Sequence, residues 1–197
     1  MAEDKTMLLV VLGLIAVTII FGGLGRLPVL SGYGTQVAGT MNVTIQGTLS
    51  IILIDDTTNF GTGYVDPSQA AAYVDSNGTY VNWINTTEFI ADPMVLQNDG
   101  QVVANVSIKS SKDASGFIGG TSAAQKFYSA ENETSSCATG LITAHTDMLT
   151  TDTTLCDKLL YIDASDELKI YYDLAIPNDA PQGNKTSTIT FTATSSV

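Results

Sequence analysis

After Arg26 the chain has no arginine, and only six lysines serve the remaining residues. Its net charge is −12. A nucleic-acid binder needs a basic footprint to displace counterions from phosphates, so that class is excluded. Charged residues are scarce altogether, at 14% of 197 residues, and threonine and serine occupy the polar positions instead, which favours strands over helices. There is one histidine, His145, no CxxC pair, and no G-x-S-x-G, P-loop or dinucleotide fingerprint. Two cysteines and one histidine supply too few ligands for a zinc site. No D-x-[DN]-x-[DN]-G loop accompanies the acidic residues. A solvated acidic surface is therefore the plainer reading of the charge, and Ca2+ on the acidic loops the sharper alternative. No other cofactor is expected.

Long apolar runs occur once. Met7 to Leu24, "MLLVVLGLIAVTIIFGGL", carries no charge, and as a helix it would measure about 27 Å, enough to cross a bilayer core. Two readings remain open: a retained anchor, or a signal peptide cleaved near Gly23-Leu24-Gly25. The first residues, "MAEDKT", pair one lysine with two acids and make a poor signal n-region, so the anchor is preferred. Gly22, Gly23, Gly25 and Pro28 end the helix. The expected organisation is a hydrophobic helix over 1–26, a linker over 27–40, and one β-domain over 41–197.

Six Asn-x-Ser/Thr sequons begin at Asn42, Asn77, Asn85, Asn105, Asn132 and Asn184, among ten asparagines. Chance would give roughly two, so these six are candidate glycosylation sites and place the β-domain outside the cell. Cys137 and Cys156 agree with export: a disulfide between them implies an oxidising compartment. The expected location is the cell surface, anchored or secreted.

The β-domain announces itself at "VAGTMNVTIQGTLSIIL", Val37 to Leu53, which alternates for seventeen residues. Met41, Val43, Ile45, Leu49, Ile51 and Leu53 share one parity, and Asn42 and Thr44 the other. A typical strand has about 5–6 residues. Seventeen would span roughly 57 Å, longer than one domain of this size needs. Either Gly47 bulges the strand so that its halves join two sheets, or the first half completes the edge of a neighbouring copy. The second is preferred, and it makes Met41, Val43, Ile45 and Leu49 the assembly strand.

Further along, Asn77-Gly78 lies between two short alternating runs, a hairpin signal, and Asn98-Asp99-Gly100 repeats the device. Val102, Ala104, Val106 and Ile108 share one face. So do Leu168, Ile170, Tyr172, Leu174 and Ile176, and, near the end, Ser187, Ile189, Phe191 and Ala193. Residues 110–120 read as a surface loop, and 129–158 as a disulfide-stapled excursion outside the core. Antiparallel strands at this spacing, with no long helical pattern after residue 26, indicate an all-β fold, an antiparallel β-sandwich of the immunoglobulin or jelly-roll kind.

"TLSIILIDDTTNFGTGYVDP", "MVLQNDGQVVANVSI" and "YDLAIPNDAPQGNKTSTITFTAT" resemble segments of archaeal cell-surface proteins in which one hydrophobic segment precedes one β-sandwich. The layout is similar to the bacterial fibre protein TasA, to camelysin and to archaeal bundling pilins. The resemblance implies a filament-forming or coat role and self-assembly into a homopolymer. It brings no catalytic residues. Type IV pilins are a poorer likeness, because their apolar helix continues well past the position of Pro28.

Chemistry has few candidates. His145 has no motif around it and reads as a structural or exposed residue. Asp55-Asp56 and Asp166-Glu167 are adjacent along strands or turns, which sets their side chains on opposite faces and makes neither a natural dyad. Trp83, Tyr73, Tyr80 and Phe89 read first as core aromatics and second as a sugar platform. Three functions follow in order: a glycosylated structural subunit; a membrane-anchored adhesin acting as a monomer; and a small secreted hydrolase using His145.

Overall fold

A computed structural model describes residues 43–87 and 91–196. The apolar segment 7–24, the linker 27–40, Met41, Asn42 and Phe89 lie outside the described residues. The described residues from Ile45 onward belong to one compact unit, Ile45–Val197. Among the described residues no helix is long and apolar enough to cross a membrane.

The fold is all-β and antiparallel. Its strands are β1 (Ile52–Asp55), β2 (Gly63–Val65), β3 (Ala71–Asp75), β4 (Tyr80–Val81), β5 (Trp83–Asn85), β6 (Met94–Gln97), β7 (Ala104–Ser110), β8 (Ala124–Glu131), β9 (Thr146–Asp147), β10 (Thr153–Leu159), β11 (Glu167–Pro177) and β12 (Ile189–Ser195). β11 is the spine of a seven-stranded sheet. β8 pairs along one edge, while β6 and β3 pair one after the other along the opposite edge; β1, β4 and β9 are added outside β6, β3 and β8. A three-stranded sheet runs β10-β7-β12, and β2 pairs with β5.

The alternation that marks β7 and β11 in the sequence is the alternation of burial. Ala104, Val106 and Ile108 of β7 face Leu168, Ile170 and Tyr172 of β11 within one apolar cluster, so the two larger sheets share a core. Fully burying a large apolar side chain stabilises by about 1.5–3 kcal/mol, and Leu96, Phe127, Leu155 and Leu159 are also fully enclosed. A second, smaller cluster gathers Val74, Ile118 and Leu174, with Trp83 packed against it.

Three expectations are corrected. Asn98-Asp99-Gly100 does not close a hairpin: β6 and β7 belong to different sheets, and the turn is a corner between them in which Asn98 is buried and Asp99 exposed. Asn98 fixes it, donating from Nδ2 to Val102 O (2.9 Å) and Leu159 O (3.2 Å) and accepting from Gly100 N (3.1 Å). The Pro177–Gly183 turn likewise carries the chain from β11 in one sheet to β12 in the other. Residues 110–120 are not simply a loop. They contain a one-turn helix, α1 (Ala114–Phe117), whose N-terminus is capped by Asp113 Oδ1 accepting from Gly116 N at 2.7 Å, and Ile118 beyond it is buried. Residues 129–158 are not an excursion either, because β8 ends within them and β10 lies almost wholly within them. β10 places Leu155 and Cys156, adjacent in sequence, both in the core; register shifts around Cys156 make this possible.

Among the described residues, regular pairing of the long alternating run begins at Ile52, where β1 joins β6. The preceding residues cross the corner turn, with Gln101 N donating to Thr48 O at 2.7 Å. The approach is close enough that a Cβ on Gly100 would stand 2.6 Å from Thr48 O, and a Cβ on Gly47 would run into Val102 Cγ1.

Candidate functional site

The first candidate is the stretch before β1. Val43 is 80% and Ile45 87% exposed, although their alternation is that of a buried face. Leu49 is more covered, and Ile51 packs against the core. From Leu27 to Ile54 there is no charged residue, in a chain of net charge −12. Residues 43–51 adopt no regular secondary structure, so these exposed β-branched residues sit in an uncharged alternating segment that joins no sheet among the described residues.

The second candidate is β12. Its seven residues pair with β7 without a register shift, and among the described residues it has no neighbour on the other side. Ser111 N donates to Thr188 O at 2.8 Å and Ser196 N to Val103 O at 2.9 Å. The even-numbered residues therefore bond β7, and the backbone groups of Ile189, Phe191, Ala193 and Ser195 point to the open side. The side chains of Ile189, Phe191 and Ala193 are half-buried and pack on the core from its margin, while Ser195 is exposed. Beside Ile189 lies a cavity of about 60 Å³ lined by Phe60, Met94, Phe117, Tyr172 and Leu174. Gln125 also lines it, and its buried Oε1 has no hydrogen-bond partner among the described residues. No charge, proline or bulge protects this edge.

Cys137 and Cys156 form a disulfide, S–S 1.98 Å and Cα–Cα 6.1 Å. Both are buried in the main cluster, so the bond ties the segment after β8 to β10 inside the core. Of the sequons, Asn77, Asn132 and Asn184 are exposed, and Asn85 and Asn105 half-buried. Asn77 is at the tip of the β3–β4 hairpin, where Gly78 N donates to Asp75 O and Asn77 Oδ1 accepts from Thr79 N (2.9 Å) and Thr79 Oγ1 (2.7 Å).

His145 joins a polar group that sequence spacing does not reveal. Its Nδ1 lies 3.0 Å from Asp173 Oδ2, and its ring centroid 4.4 Å from that of Tyr128. Tyr128 OH donates toward Asp75 (3.3 Å) and accepts from Asn77 Nδ2 (3.1 Å), and its ring stacks on Tyr171 at 4.9 Å. Burial, then the Asp75 charge, pushes the Tyr128 phenol up to about 12. Burial likewise raises Asp75 above the usual carboxylate range. No serine, threonine or cysteine side chain hydrogen-bonds His145 among the described residues.

Asp166 and Glu167 do come together, with Glu133 as third member: one carboxylate oxygen of each lies within 4.8 Å of the others. Asp166 is buried and accepts from Gln97 Nε2 at 3.1 Å; burial first, and the flanking Glu133 and Glu167, push its carboxyl up. Asp55-Asp56 is a different case: Asp55 Oδ1 accepts from Thr57 N, and Asp56 Oδ1 from the Thr57 hydroxyl. Tyr73 and Tyr80 are exposed, and Trp83 is a packing residue. No protein-family model, curated protein or solved structure matches this chain.

Proposed function

We propose that the chain is a cell-surface structural subunit whose β-sandwich polymerises by strand exchange. In this reading Val43 and Ile45 of one copy lie along the open side of β12 in the next. The observation that carries it is the coexistence, in one acidic chain, of an uncharged, exposed, alternating segment and an uncharged unprotected edge. Copies of net charge −12 repel each other over most of their surface, and these two segments are where that repulsion is weakest. Pairing would satisfy the free backbone groups of Ile189, Phe191, Ala193 and Ser195 and would place apolar side chains over the half-covered margin of the core. Residues 7–24 would hold the subunit at the membrane, and the sequons would carry glycans on the exposed face.

Two full-length variants test this reading. Val43→Lys with Ile45→Lys would put two ammonium groups into a neighbour's core, at several kcal/mol, and weaken association by about 1000-fold or more. Ala193→Pro removes one outward N–H and leaves the bonds to β7 in place. Both variants are expected to stay folded and to lose polymers in sedimentation. Polymers that persist in both contradict the proposal.

A further inference from the structure

β11 changes partners midway along one edge. β6 pairs with Glu167–Ile170 and β3 with Asp173–Pro177. At the handover Ser76 N donates to Tyr172 O (2.9 Å) and Tyr172 N donates to Ser76 Oγ (2.8 Å). Between the start of β6 and the tip of the β3–β4 hairpin lies a cleft of about 660 Å³. Lys169 and Tyr171 contribute to it from β11, Asp55 from β1, Asp92 from the approach to β6, and Asn77 from the hairpin tip.

Tyr171 is held in place. One face of its ring is covered by Tyr128 in a stack with 8° between the planes, and Tyr128 is in turn fixed by Asp75 and Asn77. Tyr171 lines the cleft with a ring that loses little freedom on binding. Around it stand groups with unused capacity: the Lys169 ammonium has no ion pair, and the Asp92 carboxylate no hydrogen bond, among the described residues. A fixed aromatic surface ringed by carboxylate, ammonium and amide groups suits a ring with one C–H face and equatorial hydroxyls. Two carboxylates against one ammonium, within a chain of net charge −12, disfavour an anionic ligand.

We propose that this cleft binds a neutral pyranose, stacked on Tyr171 and hydrogen-bonded by Lys169, Asp92 and Asn77. The site does not depend on polymerisation. Its sugar has two available sources, an external saccharide or the glycan attached at Asn77 itself.

The test is an amide NMR titration of full-length protein made without glycosylation and kept in a sugar-free detergent. The probes are methyl glucoside, methyl mannoside, methyl galactoside, N-acetylglucosamine and, for contrast, glucuronate. At least one neutral pyranose should give saturable shifts at Asn77, Gly78, Lys169 and Tyr171, with a Kd of about 1 mM. Tyr171→Ala and, independently, Lys169→Met should each weaken binding about tenfold, whereas Tyr161→Ala, at an exposed tyrosine outside the cleft, should leave it unchanged. Glucuronate should bind less well than the best neutral sugar. Absence of saturable shifts with every neutral pyranose overturns the proposal, as does unaltered binding in both cleft variants or tighter binding of glucuronate. With native material carrying a sugar at Asn77, silence until enzymatic deglycosylation assigns the site to the chain's own glycan. An undiminished response assigns it to an external saccharide, and either result upholds the site.

Discussion

Removing the disulfide should cost this domain a large share of its stability. Cys137 and Cys156 are 19 residues apart. For a closed loop of about 20 residues the chain-entropy relation gives about 11 cal/mol/K, or about 3 kcal/mol at 25 °C. Burial adds a second term that separates two variants. Cys156 is fully enclosed among apolar residues and Cys137 nearly so. A double Cys→Ala variant loses the cross-link and little else. A double Cys→Ser variant also buries two hydroxyls: the one at 137 has Thr139 O beside it, 3.0 Å from the present sulfur, while the one at 156 costs about 1–3 kcal/mol where it finds no partner. Against a typical total of about 5–15 kcal/mol, the alanine pair should remain folded and the serine pair become marginal. Urea unfolding measures both. With a slope of about 1–3 kcal/mol/M, the alanine variant should shift its midpoint down by about 1–3 M, and reductant should shift the wild type similarly. A loss below about 1 kcal/mol would refute the loop-closure reasoning. Equal stability of the alanine and serine pairs would refute the apolar setting of Cys156.

The corner and the acidic trio give two further tests. Gly100→Ala places a methyl 2.6 Å from Thr48 O and 2.8 Å from Ser50 N, both backbone atoms. It should destabilise by about 1–3 kcal/mol in the same urea assay, and a neutral result would mean that residues 48–50 do not rest on the corner. Asp166 has its carboxyl pushed up in the folded state, chiefly by burial. Its contribution is therefore fully present below the unfolded value near 3.8 and is lost as pH rises through the higher folded value. Asp166→Asn should be more stable than wild type at pH 7, by about 1 kcal/mol, and that advantage should shrink as pH falls toward 4. An advantage independent of pH would show that the carboxylate is not strained by its neighbours.

Where the inward positions are uniformly apolar, local pattern and fold coincide. β7, β11 and β12 could be read from Val106, Ile170 and Phe191 and their neighbours. β8 was hidden because two of its inward residues, Gln125 and Ser129, are polar. β10 was hidden because register shifts set Leu155 and Cys156 on the same side, which breaks the period. The Asn-Asp-Gly turn has the composition of a hairpin, but turn chemistry specifies a reversal of direction and not the sheet that receives the next strand. Candidate-site residues divide in the same way. Val43 and Ile45 stood out by alternation, a property of the segment alone. The grouping of His145, Tyr128, Asp173 and Asp75, and the meeting of Glu133 with Asp166 and Glu167, depend on which strands flank β11, and no spacing in the sequence encodes that.

Hydrogen exchange at the Val43 and Ile45 amides, compared between dispersed and assembled full-length protein, tests strand exchange most directly. Both amides should exchange rapidly in the dispersed protein and become strongly protected on assembly, together with the outward amides of Phe191 and Ala193. Protection of Val43 and Ile45 already in the dispersed protein, or rapid exchange that persists in the assembled state, would contradict the account.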